Sequence, residues 1–217
     1  MTADNLTKRR ILMMLIGVPL VGVSVAFFNV AEFGVDPFTV LVQGSFRQMP
    51  SLISYGLTYI ILSVIELIAI ILLDRKKIGV GTLINLFLLG YITDYTSRFL
   101  RFALGDMIGT MPIRILFMII GVTLLSFSSG IYFTANMGVS THDAVSLIAS
   151  EKQDKVPFQY CRVISDALCV IFGTILGGTF GIGTIVAAVF CGPLVAFFRK
   201  HVGEPMLHYS IHRKTLT

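Results

Sequence analysis

Charge is what this chain has least of. Only 13% of its 217 residues are Asp, Glu, Lys or Arg, against 55% hydrophobic residues and a mean hydropathy of +0.84. That balance excludes a protein that keeps most of its surface in water and points to one that faces lipid. Ile11 to Val30 and Ile115 to His142 contain no charged residue, and Ala167 to Phe198 is uncharged for 32 residues. Alternating strands of about ten residues are missing, which excludes a transmembrane barrel. The three cysteines match no metal spacing and imply no disulfide framework. P-loop, HExxH and nucleophile-elbow patterns are missing too, so no enzyme, cofactor or metal centre is expected. Although Lys8-Arg9-Arg10 precedes an apolar stretch, no small-x-small cleavage site follows, and the first span reads as a permanent helix rather than a signal peptide.

What remains is a set of apolar runs. A helix needs about 20 residues to cross the hydrocarbon, so the run from Ala167 to Phe198 is too long for one crossing, and Gly177-Gly178-Thr179-Phe180-Gly181 reads as a tight turn within it. Six spans follow, near 11–31, 53–73, 79–97, 114–135, 158–177 and 182–198. Lipid offers no partner for peptide groups, which makes helices the form these spans take. With the N-terminus inside, 13 Lys and Arg residues fall on the cytoplasmic side and four outside: Arg47, Arg98, Arg101 and Arg114. Both termini are then cytoplasmic, residues 199–217 form a basic cytoplasmic tail, and the net charge of +5 signals topology rather than nucleic acid.

The same phrase occurs twice. GVGTLINLFLLG (Gly79 to Gly90) and GIGTIVAAVFCG (Gly181 to Gly192) share Gly-apolar-Gly-Thr and a glycine nine residues after the second one, 102 residues apart. Gly17 to Gly34 aligns with Gly121 to Gly138 at an offset of 104. The 217 residues thus form one transmembrane domain of two three-span units, about 11–98 and 114–198. Because three is odd, the second unit enters the membrane from the opposite side, as in the inverted repeats of secondary transporters. Gly79, Gly81, Gly181 and Gly183 are expected where helices approach closely.

After the first span of each unit comes a segment too short to cross, 36–47 and 140–151, as an interfacial or a re-entrant helix. Asp36-Pro37 supplies a cap and a first-turn proline, while Ser140, Thr141 and Asp143 occupy the same places in the second unit. If these segments dip inward, their amide ends could hold a carboxylate. The wording GVDPFTVL, GVSTHDAV and GIGT…FCGPL resembles the YczE/YyaS/YitT-type family of bacterial membrane proteins from about Gly17 to Phe198. The resemblance implies a bacterial cytoplasmic membrane and supplies no substrate.

Ionisable groups inside spans are expensive and tend to face a bundle interior. Glu66 has no basic residue within a helical turn; Asp166 has Arg162 four residues before it, and Asp94 has Arg98 four after it. Asp36, Thr39, His142 and Asp143, with Asn29 and Asn136 flanking the short segments, complete the candidate substrate- or ion-binding set. His142 and Asp143 suit proton exchange, since histidine as a residue type titrates near neutrality. The expected protein is a membrane permease for a small polar solute, with proton coupling as an option. A substrate-capture subunit of an energy-coupling transporter and a non-transporting membrane partner or regulator are the alternatives, and a homo-oligomer or a membrane partner protein is compatible with each.

Overall fold

The computed structural model describes residues 3–49, 52, 55–74, 78–152 and 156–208. All regular structure among them is helical: α1 (Ala3–Ala31), α2 (Pro37–Gln48), α3 (Tyr55–Leu73), α4 (Val80–Leu104), α5 (Met111–Ala135), α6 (Thr141–Lys152), α7 (Phe158–Ile175), α8 (Ile182–Phe198) and a short α9 (Glu204–His208). Parts of the 47–50, 74–78 and 151–157 connections, and 209–217, lie outside the described residues.

Among the described residues four helices are long and apolar enough to cross a membrane: Leu6–Ala31, Met111–Ala135, Phe158–Ile175 and Ile182–Leu207. The apolar stretch of α3, Leu57–Leu73, is shorter, and α4 carries Asn85, Asp94, Arg98 and Arg101 along its length. Large apolar side chains on the outside, such as Ile65, Leu72, Phe87 and Ile175, suit lipid.

The centre is the contact between α1 and α5. A Cβ at Gly17 would press on Tyr132 at 2.8 Å, and one at Gly121 would press on Phe28 at 3.2 Å. Position 17 meets 132 while 28 meets 121, so the two helices run antiparallel, and small residues let them close on large ones. The other pairings are reciprocal as well. α1 packs on α4 as α5 packs on α8, and α2 docks on α7 as α6 docks on α3.

Each of the two GxGT phrases clamps the other half of the chain. Gly81 N–H donates to the Met137 carbonyl at 2.9 Å and Thr82 Oγ1 to that of Val139 at 2.8 Å. In mirror fashion, Gly183 N–H donates to Phe33 at 2.8 Å and Thr184 Oγ1 to Val35 at 2.7 Å. The clamped loops share one backbone track. Glu32 and Asn136 have φ of 55° and 49°, and Gly34 and Gly138, two residues on, have 110° and 102°. Only glycine takes the second position without strain. The glycines of the repeated phrase therefore lie against a loop of the opposite half, where helix against helix was expected. Arg114 secures the end of α1 by donating to the carbonyls of Ala31 and Glu32, both at 2.8 Å.

Two features depart from this reciprocity of contacts. α7 and α8 pack together, with Gly192 so close to Gln159 that a Cβ would lie 2.8 Å from its carbonyl oxygen, whereas their counterparts α3 and α4 hardly touch. The start of the expected tail is also folded. Residues 199–203 form a π-helical turn leading into α9, and Leu207 is buried against α1 and α5.

Candidate functional site

The short helices are not surface elements. Pro37, Phe38, Val40, Val42 and Gly44 of α2 are buried, as are Thr141 to Ala144 and Ser146 to Ile148 of α6. α2 starts where the sequence indicates: Asp36 Oδ1 accepts from Thr39 N–H at 3.1 Å and Oδ2 from Thr39 Oγ1 at 2.6 Å, with Pro37 at the first helical position. At α6 the same pair is written in reverse. Ser140 Oγ accepts from Asp143 N–H at 3.2 Å and donates to Asp143 Oδ2 at 2.6 Å. Both N-termini line one cavity of about 90 Å³. Because the amides of Thr39 and Asp143 are already capped, the expectation that these ends hold a carboxylate loses its main donors.

One polar chain crosses the halves at this point. Glu66 on α3 accepts from Thr141 Oγ1 at 2.8 Å, and its other oxygen lies 3.2 Å from His142 Nδ1. His142 Nε2 is 2.8 Å from Asp166 Oδ1 on α7. Arg162 Nε donates to both Asp166 oxygens at 3.1 Å, and its guanidinium continues to Asp143, which Tyr132 also reaches through its hydroxyl. Asp166 is 0% exposed and the Glu66 side chain 18%. Phe38 stacks on the His142 ring with centroids 5.4 Å apart, and Tyr59 meets Phe38 edge-on.

The chemistry follows from these positions. Each ring nitrogen of His142 faces a carboxylate oxygen, and a neutral imidazole carries one N–H. The Glu66–His142–Asp166 group therefore needs one extra proton, on the ring or on an acid, for both contacts to be hydrogen bonds. Carboxylates also outnumber cations: Asp36, Glu66, Asp143 and Asp166 stand against Arg162 and His142. Buried charge is stable only when paired and hydrogen-bonded, so the surplus calls for a proton or another cation.

The structure divides the expected residues. Asp36, Thr39, His142, Asp143 and Asp166 line the central cavity, and Glu66 joins through His142 and Thr141. Asn29 instead lines an adjoining cavity of about 700 Å³ between α3 and α4, with Gln43, Phe87, Tyr91 and Asp94. Asn136 is an exposed turn residue at the end of α5, where its left-handed conformation stops the helix, and it takes no part in either cavity. Asp94 makes the expected i,i+4 pair with Arg98 at 2.9 Å, in the open. Tyr132 and Asn85 were not foreseen. Tyr132 lies in an apolar stretch and Asn85 is the lone amide in the run after the first GxGT, the only signals either gives. Among the described residues no three His, Cys, Asp or Glu side chains group as a metal site.

The model of a family of unknown function, DUF6198, matches residues 8–200. A Haemophilus influenzae relative described as an uncharacterized protein is 24% identical over 203 residues, 93% of this chain and 89% of its own. An uncharacterized membrane protein of Bacillus subtilis, YczE, is 27% identical over 144 residues, 66% of this chain and 64% of its own. No solved structure matches.

Proposed function

The chain belongs to the DUF6198 family of YczE-type membrane proteins, and from that premise we propose that it is a carrier for a small polar solute, built as two inverted repeats. In this reading α1, α3, α4, α5, α7 and α8 cross a bacterial cytoplasmic membrane with both termini inside, while α2 and α6 are re-entrant. The observation that carries it is the broken symmetry. Two halves with reciprocal contacts meet at one buried polar cavity; α3 and α4 are parted above it and the equivalent α7 and α8 are closed. A carrier of inverted repeats exposes its site to one side by opening one such pair and to the other by exchanging the roles of the halves. The parted pair leads to the 98–112 connection, so the conformation is outward-facing in the orientation favoured by the basic residues.

Proton coupling suits the same site. Glu66, His142 and Asp166 hold a proton between them, and a solute reaching these carboxylates would compete with it. Purified protein reconstituted alone in liposomes with a trapped pH dye tests the proposal. Solute-driven proton movement without any partner supports a carrier; its absence, with co-purification of an ATPase, supports a substrate-capture subunit instead.

A further inference from the structure

The cavity walls identify the chemical class of the occupant. We propose that it is a compact organic cation that also carries a hydroxyl, its charge held between Asp36 and Asp143 and its oxygen accepting from Asn85 Nδ2, an inference that rests on the carrier reading and narrows it. Asp36 is the first support. Its oxygens take only the Thr39 amide and hydroxyl, and no cation pairs with it among the described residues. Across the cavity Asp143 shares Arg162 with Asp166, so that single guanidinium is divided between two acids. The wall keeps a negative charge that no cation among the described residues balances.

Asn85 is the second and independent support. It is 4% exposed and lines the cavity, and its amide nitrogen has no hydrogen-bond partner. Leaving such a group unpaired costs about 1–3 kcal/mol. Packing does not require it, because the equivalent place after the second GxGT is Ala187, fully buried. One half of the repeat therefore carries a buried N–H donor that calls for an acceptor from whatever fills the cavity.

Size and wall chemistry exclude the simplest cations. A bare alkali or alkaline-earth ion offers no acceptor to Asn85 Nδ2, and these acids alternate with Val25, Leu86 and Leu89 in about 90 Å³. That space fits a few heavy atoms, with carbon against the leucines and the charge against the acids. Entry runs through the larger cavity, which shares Val25, Thr39, Tyr59, Leu86 and Leu89 with the smaller one.

Thermal melting of the purified full-length protein tests this, with ethanolamine added against ethylammonium, sodium chloride, potassium chloride, sodium acetate and glycerol. Asp36→Asn keeps a good helix cap, and Asn85→Ala reproduces the residue of the other half. A saturable rise in melting temperature with ethanolamine is expected, with apparent affinity weakened about tenfold or more in each variant and when ethylammonium replaces ethanolamine. Failure of ethanolamine to stabilise, equal stabilisation of the variants, equal affinity for ethylammonium, or saturable stabilisation by sodium or potassium would overturn it. Stabilisation by acetate or glycerol alone would overturn the charge of the occupant and leave the carrier standing. Cation binding without flux in liposomes would support this inference while overturning the carrier.

Discussion

Replacing Arg162 with methionine removes the guanidinium that Asp143 and Asp166 share. Asp166 is 0% exposed and receives Arg162 Nε on both oxygens at 3.1 Å. Breaking a buried pair by removing one partner costs about 3–5 kcal/mol, because the remaining charge stays buried. Asp166→Asn strands one charge only in part, since Arg162 keeps Asp143. Arg162→Met strands two carboxylates, so its cost is at least as large. For a protein of this length about 2–4 °C accompanies each kcal/mol, which places both variants roughly 6–20 °C below wild type. The double variant removes opposite charges together and should lose less than the sum of the two, by about 0.5–3 kcal/mol. Cys169 and Cys191 are buried free thiols, so their reaction with a maleimide dye during heating reports unfolding in detergent. An Arg162→Met protein melting within about 2 °C of wild type, or above Asp166→Asn, would refute the shared-cation reasoning.

The cross-half clamps predict a matched pair: Thr82→Val and Thr184→Val should each cost about 0.5–1.5 kcal/mol and add when combined, since they lie in different halves; strongly unequal or non-additive losses in the same melting assay would contradict equivalent clamps. Glu66→Gln keeps an oxygen for Thr141 and loses the charged contact with His142, so it should fold, melt above Asp166→Asn and lose solute-linked proton movement in liposomes; full coupled activity would remove Glu66 from the proton site. Topology is checked by single cysteines in a Cys-free background at Met107 and Lys200, both exposed. An impermeant reagent should label Met107→Cys in intact cells and Lys200→Cys only after permeabilisation, and the opposite pattern would invert the orientation.

The residues that reveal the fold in the sequence are those whose backbone job allows little choice. Gly34 and Gly138 need positive φ, and the Thr of each GxGT must reach a carbonyl, so these letters recur at fixed spacing. Asp36-Pro37 marks the start of α2 for a similarly local reason. The acids of the site stand out because charge inside apolar runs is rare. Their partners do not, since Glu66 meets His142 across 76 positions and no spacing rule connects them. Asn29 and Asn136 both flank the short segments in the sequence, yet one faces a cavity and the other ends a helix. The folding of residues 199–208 onto α1 and α5 was hidden by their basic composition, because the side chains that anchor them, such as Leu207, are few.

The claim that one cavity is exposed first to one side and then to the other has a direct test that needs no knowledge of the solute. Ser63 lines the central cavity and is buried, and Gly192 holds the closed α7–α8 pair against Gln159. Ser63→Cys in a Cys-free background should react with an impermeant charged methanethiosulfonate from the outer face of cells and, more slowly, from the cytoplasmic face of inverted vesicles. Adding Gly192→Ala, whose Cβ would press on the Gln159 carbonyl, should wedge α7 from α8, speeding the cytoplasmic reaction and slowing the outer one. Reaction from one face only, or rates at both faces rising together in the Gly192→Ala protein, would contradict a carrier that alternates.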